Sequence, residues 1–252
     1  MKNQFILWFS ALVITFLIGY IKTITNANYP VTSTFGIEGK KVSYKLDKIF
    51  YGNTSYKNII ISDIKNLKGK VAWVESGKLN QKRFVETDRG LECEIPALDP
   101  GEQIKYKILL FYNEKTYEIP KDDFITLTFW GKIPTAVNIL YFIFLHGGLL
   151  LSIRCGLELF NNNKNLKKIA FITTTFFLIL TLALSPLRNS YRIGAINNFV
   201  PPIFELFEPL LIIITLSWIT GTIFLFIKKY YLSVTIFLLI ATALLFSFLP
   251  TI

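Results

Sequence analysis

The chain has 252 residues, 52% of them hydrophobic and 15% aromatic, with a mean hydropathy of +0.46. Only 17% are charged, and the formal net charge is +10. This apolarity excludes an ordinary soluble globular protein, and a positive excess concentrated beside apolar stretches points to membrane orientation rather than nucleic-acid binding.

Five stretches carry no Asp, Glu, Lys or Arg: residues 5–21, 133–153, 169–187, 209–227 and 230–252. Each reaches or approaches the roughly 20 apolar residues that an α-helix needs to cross hydrocarbon. Residues 23–132, between the first two, hold 31 of the 44 charges. The expected organisation is an anchor helix at 1–22, a β domain at 23–132 and a four-helix membrane bundle at 133–252.

The first apolar run exceeds a typical signal-peptide core, and its best cleavage pattern, Thr25-Asn26-Ala27, is weak. It reads as a retained anchor.

From Val42 onward, apolar residues alternate in short runs bounded by turn residues. Val42, Tyr44 and Leu46 form the first run, and Gly52-Asn53 interrupts the pattern. Runs at 56–61, 70–75, 82–86 and 90–95 follow, and Asp99-Pro100-Gly101 is a strong turn signal. Ile104, Tyr106 and Ile108 open a longer strand, and 117–119 and 124–130 complete the set. Seven or eight strands without helical periodicity predict an immunoglobulin-like or fibronectin-III-like sandwich. Cys93 falls on the inward face of its strand and Cys155 lies at a membrane edge, so the two cannot pair on this topology. A lone buried thiol acts as a small hydrophobe. Trp73, Tyr106, Phe111 and Tyr112 suggest a glycan platform only until alternation places about half of them in the core.

Basic residues in the short loops set the orientation. With the N-terminus inside, the cytoplasmic side holds Lys2, Arg154, Lys164, Lys167, Lys168, Lys228 and Lys229. The outer loop 188–208 holds only Arg188 and Arg192, offset by Glu205 and Glu208. Residues 23–132 and the C-terminus are then extracytoplasmic. The run Asn161-Asn162-Asn163 reads as a solvated turn on the inner side.

His146, the only histidine, sits near the middle of the second span. An ionisable group there is a functional candidate, as ligand or proton relay. The simpler reading is a neutral ring bonded to a threonine or carbonyl of a neighbouring helix. Gly148, Ser152 and Gly156 recur every four residues, and Ser217 and Gly221 repeat the spacing once, as in close-packed membrane helices. Glu205 and Glu208 would share a face if helical, as an acid/base pair, a cation site, or a cap for the helix starting near Pro209 with Arg188 and Arg192 as counter-charges. No nucleophile elbow, P-loop, dinucleotide fingerprint or HExxH occurs, and the cysteines lack metal-ligand spacing. No cofactor or metal is expected.

The strings YPVTSTFGIEGKKVSYKL at 29–46, IPALDPGEQIKYKI at 95–108, SIRCGLELF at 152–160 and SPLRNSYRIGA at 185–195, then Pro202, Glu205 and Glu208, carry a resemblance. The chain resembles an uncharacterised bacterial inner-membrane family with an N-terminal anchor, an extracytoplasmic β-sandwich and four C-terminal transmembrane helices. The family continues with polar residues after the acids, where this chain has Pro209-Leu210. The resemblance implies architecture and no reaction.

The expected function is that of a non-catalytic accessory subunit or assembly factor in a membrane complex, with lipid and other proteins as partners and no nucleic acid. A transporter or enzyme using His146, Arg188, Arg192, Glu205 and Glu208 is the alternative, and an envelope sensor acting through a partner is a third reading.

Overall fold

The computed structural model describes every residue except 1, 27, 53, 63, 65, 76, 89, 122, 162–164, 197, 228–230 and 250–252, and the side chains of 2 and 3. The sequence readings on Asn53, Asn162, Asn163, Lys164, Lys228 and Lys229, and on the Lys2 side chain, lie outside the described residues. The chain divides into two compact units. One comprises Met1–Asn26, Ile133–Tyr191 and Ala195–Ile252; the other comprises Ala27–Lys132 with Arg192–Gly194.

The β unit contains eleven strands: β1 (Val31–Ile37), β2 (Lys40–Leu46), β3 (Ile49–Tyr51), β4 (Tyr56–Ser62), β5 (Lys68–Glu75), β6 (Lys78–Arg83), β7 (Val85–Thr87), β8 (Gly90–Ile95), β9 (Gln103–Tyr112), β10 (Lys115–Ile119) and β11 (Ile125–Trp130). They form two sheets, ordered β1-β2-β4-β8-β7 and β3-β11-β9-β5-β6, with β10 on β9. Every pairing is antiparallel except β3 with β11. One hydrophobic cluster takes Val42, Ile60 and Cys93 from the first sheet and Val71, Tyr106, Leu127 and Phe129 from the second. The alternating burial of β4 and β8 is the signature of strands with one dry face.

More strands form than alternation predicts. β1 (VTSTFGI) hides behind its threonines, serine and glycine, which mask any period of two. The expected run 82–86 is split, because β6 pairs with β5 in one sheet while β7 pairs with β8 in the other. Glycine is required at Gly90, where φ is +121° and a Cβ would sit 2.2 Å from the Ile60 carbonyl oxygen.

Inside this core Tyr106 donates to the Asp47 carbonyl at 3.0 Å, and Tyr56 donates to Asp47 Oδ2 at 3.3 Å. Burial pushes the Tyr56 hydroxyl up to about 12, and raises Tyr106 further. Desolvation likewise raises the Cys93 thiol, which keeps it protonated.

The helical unit contains α1 (Lys2–Ile24), α2 (Thr135–Leu157), α3 (Leu166–Ile179), α4 (Ser185–Arg192), the short α5 (Ile203–Leu206), α6 (Pro209–Phe226) and α7 (Tyr231–Phe248). Five helical stretches are long and apolar enough to cross a membrane: Gln4–Ile24, Thr135–Asn161, Leu166–Arg192, Pro209–Phe226 and Tyr231–Phe248. Proline at the start of α6 suits a helix N-terminus, since its missing N–H has no intrahelical acceptor there.

The third stretch is continuous only because α3 passes into α4 through a π-helical turn at Leu180–Leu184. Pro186 has no N–H for the Leu182 carbonyl, and the Ser185 N–H reaches back to Leu180 O, one residue further than in an α-helix. The inserted residue rephases α4 by about 100°, and Arg188 and Asn189 are each only 1% exposed.

Candidate functional site

Helices in lipid gain little from apolar contact, so polar side chains and close backbone approach must hold them together. The helical unit, whose five long stretches are apolar enough to cross a membrane, has three polar layers that join its helices.

The first lies at the N-terminal end of α2. Arg188 of α4 places its guanidinium 4.6 Å from the Tyr141 ring centre and donates from Nε to Asn138 Oδ1 at 3.2 Å. Tyr141, fully buried, donates its hydroxyl to Glu208 Oε2 at 3.2 Å. Asn189 donates to the Leu206 carbonyl at 2.9 Å, tying α4 to the chain entering α6. Lys22, at the end of α1, lies within electrostatic reach of Glu208. Its ammonium donates to the Phe246 carbonyl at 3.0 Å and sits 4.2 Å from that ring's centre. Two cations and one carboxylate thus join α1, α2, α4, α6 and α7.

The second layer is a row of hydroxyls between α3 with the π-helical turn that follows it, α6 and α7. Thr174 and Thr222 share a hydrogen bond of 2.7 Å, as do Thr181 and Thr215. Trp218 Nε1 donates to Thr242 Oγ1 at 2.8 Å.

The third layer lies at the C-terminal end of α2. Arg154 and Glu158 are each 0% exposed, and Nη1 donates to Oε2 at 2.6 Å. Glu158 Oε1 also accepts from Asn161 Nδ2 at 2.9 Å and from the Asn165 N–H at 3.0 Å. Arg154 Nη2 donates to Gln4 Oε1, and its guanidinium lies 5.4 Å from the Trp8 ring. The ion pair therefore clamps α1, α2 and the turn into α3. Its i, i+4 spacing is plain in the sequence, yet Arg154 alone read as an orientation charge and Glu158 carried no reading beyond the resemblance string. Lys22, Tyr141 and the threonines were also missed, because nothing in one sequence reports which helices face each other.

Of the predicted site residues, Arg188 and Glu208 come together around Tyr141, while His146 and Glu205 lie apart from them. The two acids diverge because α5 ends at Leu206 and Phe207 is extended, so Glu205 is exposed and Glu208 is 7% exposed. Glu208 holds the N-cap position of α6 without a side-chain capping bond. Arg192 belongs to the β unit, where its guanidinium lies 4.7 Å from the Trp130 ring and its carbonyl accepts from the Gly131 N–H at 2.7 Å.

His146 Nδ1 lies 3.1 Å from the carbonyl of Phe142, on its own helix rather than a neighbour's. A carbonyl only accepts, so Nδ1 carries the proton and Nε2 is left as an acceptor. The ring stacks on Phe142 at 4.0 Å and meets Phe246 edge-on, beside a groove of about 440 Å³ between α1 and α2.

The small residues make different contacts. A Cβ on Gly148 would lie 2.9 Å from Phe177 of α3, on Gly156 2.8 Å from Leu239 of α7, and on Gly221 2.5 Å from Leu238 of α7. Ser152 is buried, and Ser217 bonds back to the Ile213 carbonyl at 2.8 Å. In the β unit, Trp73 and Tyr106 are buried while Phe111 and Tyr112 are half-buried. Both cysteines are free and buried. Among the described residues no three His, Cys, Asp or Glu side chains are grouped to hold a metal ion.

Comparison with protein-family models, with curated proteins and with solved structures finds no match for this chain.

Proposed function

We propose that this chain is a non-catalytic multi-pass membrane protein, an accessory subunit or assembly factor of a larger membrane complex, with the β unit as its interaction domain. The observation that carries this reading is how the charges of the helical unit are used. Arg154, Glu158, Lys22, Arg188 and Glu208 each contact another helix or a turn between helices. Groups so engaged brace a rigid support and are poorly placed to exchange protons or ions. The reading includes a bacterial inner membrane, an inside N-terminus and an extracytoplasmic β unit, supported by the seven-to-two bias of basic residues in the short loops.

The proposal extends to an immunoglobulin-like topology. The order β2-β4-β8-β7 corresponds to strands A-B-E-D of that fold, and β3-β11-β9-β5-β6 to A′-G-F-C-C′. The parallel β3–β11 pair, formed where the chain crosses between sheets after β2, supports the correspondence. β1 is then an added edge strand.

Purification in mild detergent tests the function. A different polypeptide in fixed ratio is expected; a chain that always elutes without one argues against a subunit role. A transporter or enzyme is the second reading, favoured by the ionisable cluster around Tyr141. It requires that replacing His146, Glu205 or Glu208 singly abolish activity at normal expression, and unchanged activity removes it.

A further inference from the structure

We infer that β1 is a self-association edge, at which a second copy of this chain adds its own β1 antiparallel to form one continuous sheet. The inference rests on the membrane part of the proposed function, which supplies the co-confinement, and not on the accessory-subunit role.

A sheet's outer strand offers a row of unpaired N–H and C=O groups, and proteins normally blunt it with charge, shortness or bulges. The other edges here follow that rule. β7 and β3 have three residues each, β6 (KLNQKR) carries three basic residues, and β10 (KTYEI) carries Lys115 and Glu118. β1 is seven residues long, uncharged and paired in unbroken register with β2. It is also held in place, since the Phe35 ring packs against Tyr44 at 6.1 Å and Tyr117 at 6.2 Å.

The hairpin geometry identifies the groups left open. Glu38 and Gly39, at φ +49° and +82°, make a two-residue turn of the I′ kind, closed by the Ile37–Lys40 pair. That closing pair is hydrogen-bonded, so Phe35, Ser33 and Val31 also bond to β2, and Thr32, Thr34 and Gly36 point their backbone groups outward. These three residues are exposed, and β1 ends its sheet.

The triad is self-complementary. With a two-fold axis at Thr34, Thr34 faces its own copy, Thr32 faces Gly36, and about six backbone hydrogen bonds form. On the outward face only threonine side chains and the bare backbone of Gly36 meet. The nearest charges, Lys41 and Lys45, stand one strand back opposite Gly36 and Thr32, so no like charges face across the seam. Two such strands bury less than the roughly 1,200 Å² of a free-standing interface, so the contact needs both copies held together. Five helices able to cross a membrane confine both copies to one surface and raise their effective concentration.

The test uses the full chain in lipid vesicles with a short thiol-to-thiol cross-linker. Cys93 and Cys155 are buried and remain in place. Thr34→Cys should give mostly covalent dimer, because facing residues are about 5.5 Å apart. Thr32→Cys alone should stay monomeric at about 14 Å, yet Thr32→Cys mixed with Gly36→Cys should give mixed dimers. Lys57→Cys, on β4 away from the edge, is the control. Photobleaching of the labelled parent in sparse vesicles should show pairs, and Thr34→Lys should leave single copies. Equal cross-linking at Thr34, Thr32 and Lys57, single copies of the parent, pairs that survive Thr34→Lys, or cross-links from Thr34 to a different polypeptide would each overturn the inference.

Discussion

Replacing Glu158 by alanine strips the Arg154 guanidinium of its counter-charge in a site where it is 0% exposed, leaving only the neutral Gln4 and Trp8 as partners. The carboxylate accepts three hydrogen bonds, from Arg154, Asn161 and the Asn165 N–H. Asn165 is exposed, so water replaces that bond; nothing comparable reaches Arg154. Breaking a buried ion pair from one side costs about 3–5 kcal/mol, because the surviving charge is left desolvated. Glu158→Gln keeps the shape and one acceptor and should cost about 1.5–3 kcal/mol, the range of a hydrogen bond to a charged group. The double variant Arg154→Met with Glu158→Leu removes both charges and should fall within about 1 kcal/mol of the parent. Reversible denaturation in mixed micelles, followed by tryptophan emission, measures all three. Trp8, 5.4 Å from the guanidinium, also reports the local change. A loss below about 1 kcal/mol for Glu158→Ala, or a double variant weaker than the single, would refute the desolvation argument.

Other outcomes follow from the same physics. Gly221→Ala puts a Cβ 2.5 Å from Leu238 and should destabilise the α6–α7 contact by about 1–3 kcal/mol in the same denaturation assay. Thr174→Val should cost about 0.6–1.7 kcal/mol, and adding Thr222→Val little more, since one shared bond is lost. A double-mutant cycle measures that coupling. Tyr56 titrates near 12 in the folded β unit against 10.0 for the free residue, so its contribution is full below pH 10 and is lost as pH rises toward 12. The loss amounts to about 2–3 kcal/mol. Tyr56→Phe should flatten the alkaline limb of a circular-dichroism titration, and an unchanged limb would place the loss elsewhere.

The elements that alternation or uninterrupted apolarity marks are the ones the sequence makes legible. The runs at 56–61, 70–75 and 90–95 lie within β4, β5 and β8, and each of the five uncharged stretches overlaps one of the five long apolar helices. β1 and β3 escaped because short, polar or glycine-bearing strands lack a period to count. Residues 154–161 escaped for another reason. Counting charges ends a span at the first arginine, whereas Arg154 and Glu158 neutralise each other inside the helix. The polar cluster was half legible, since Arg188 and Glu208 stand out as charges but Tyr141 looks like any aromatic. Partnership across helices is a tertiary property, and residue spacing along one helix does not encode it.

The π-helical turn before Pro186 makes the third helix unusually sensitive to its residue count. Removing one residue there, Ala183 for example, would restore an ordinary spiral and swing everything beyond it by about a quarter-turn. Arg188 would then leave both Tyr141 and Asn138, its partners in the folded unit. A one-residue deletion in an apolar run, which hydropathy alone would judge harmless, should therefore be worse than most substitutions of the arginine itself.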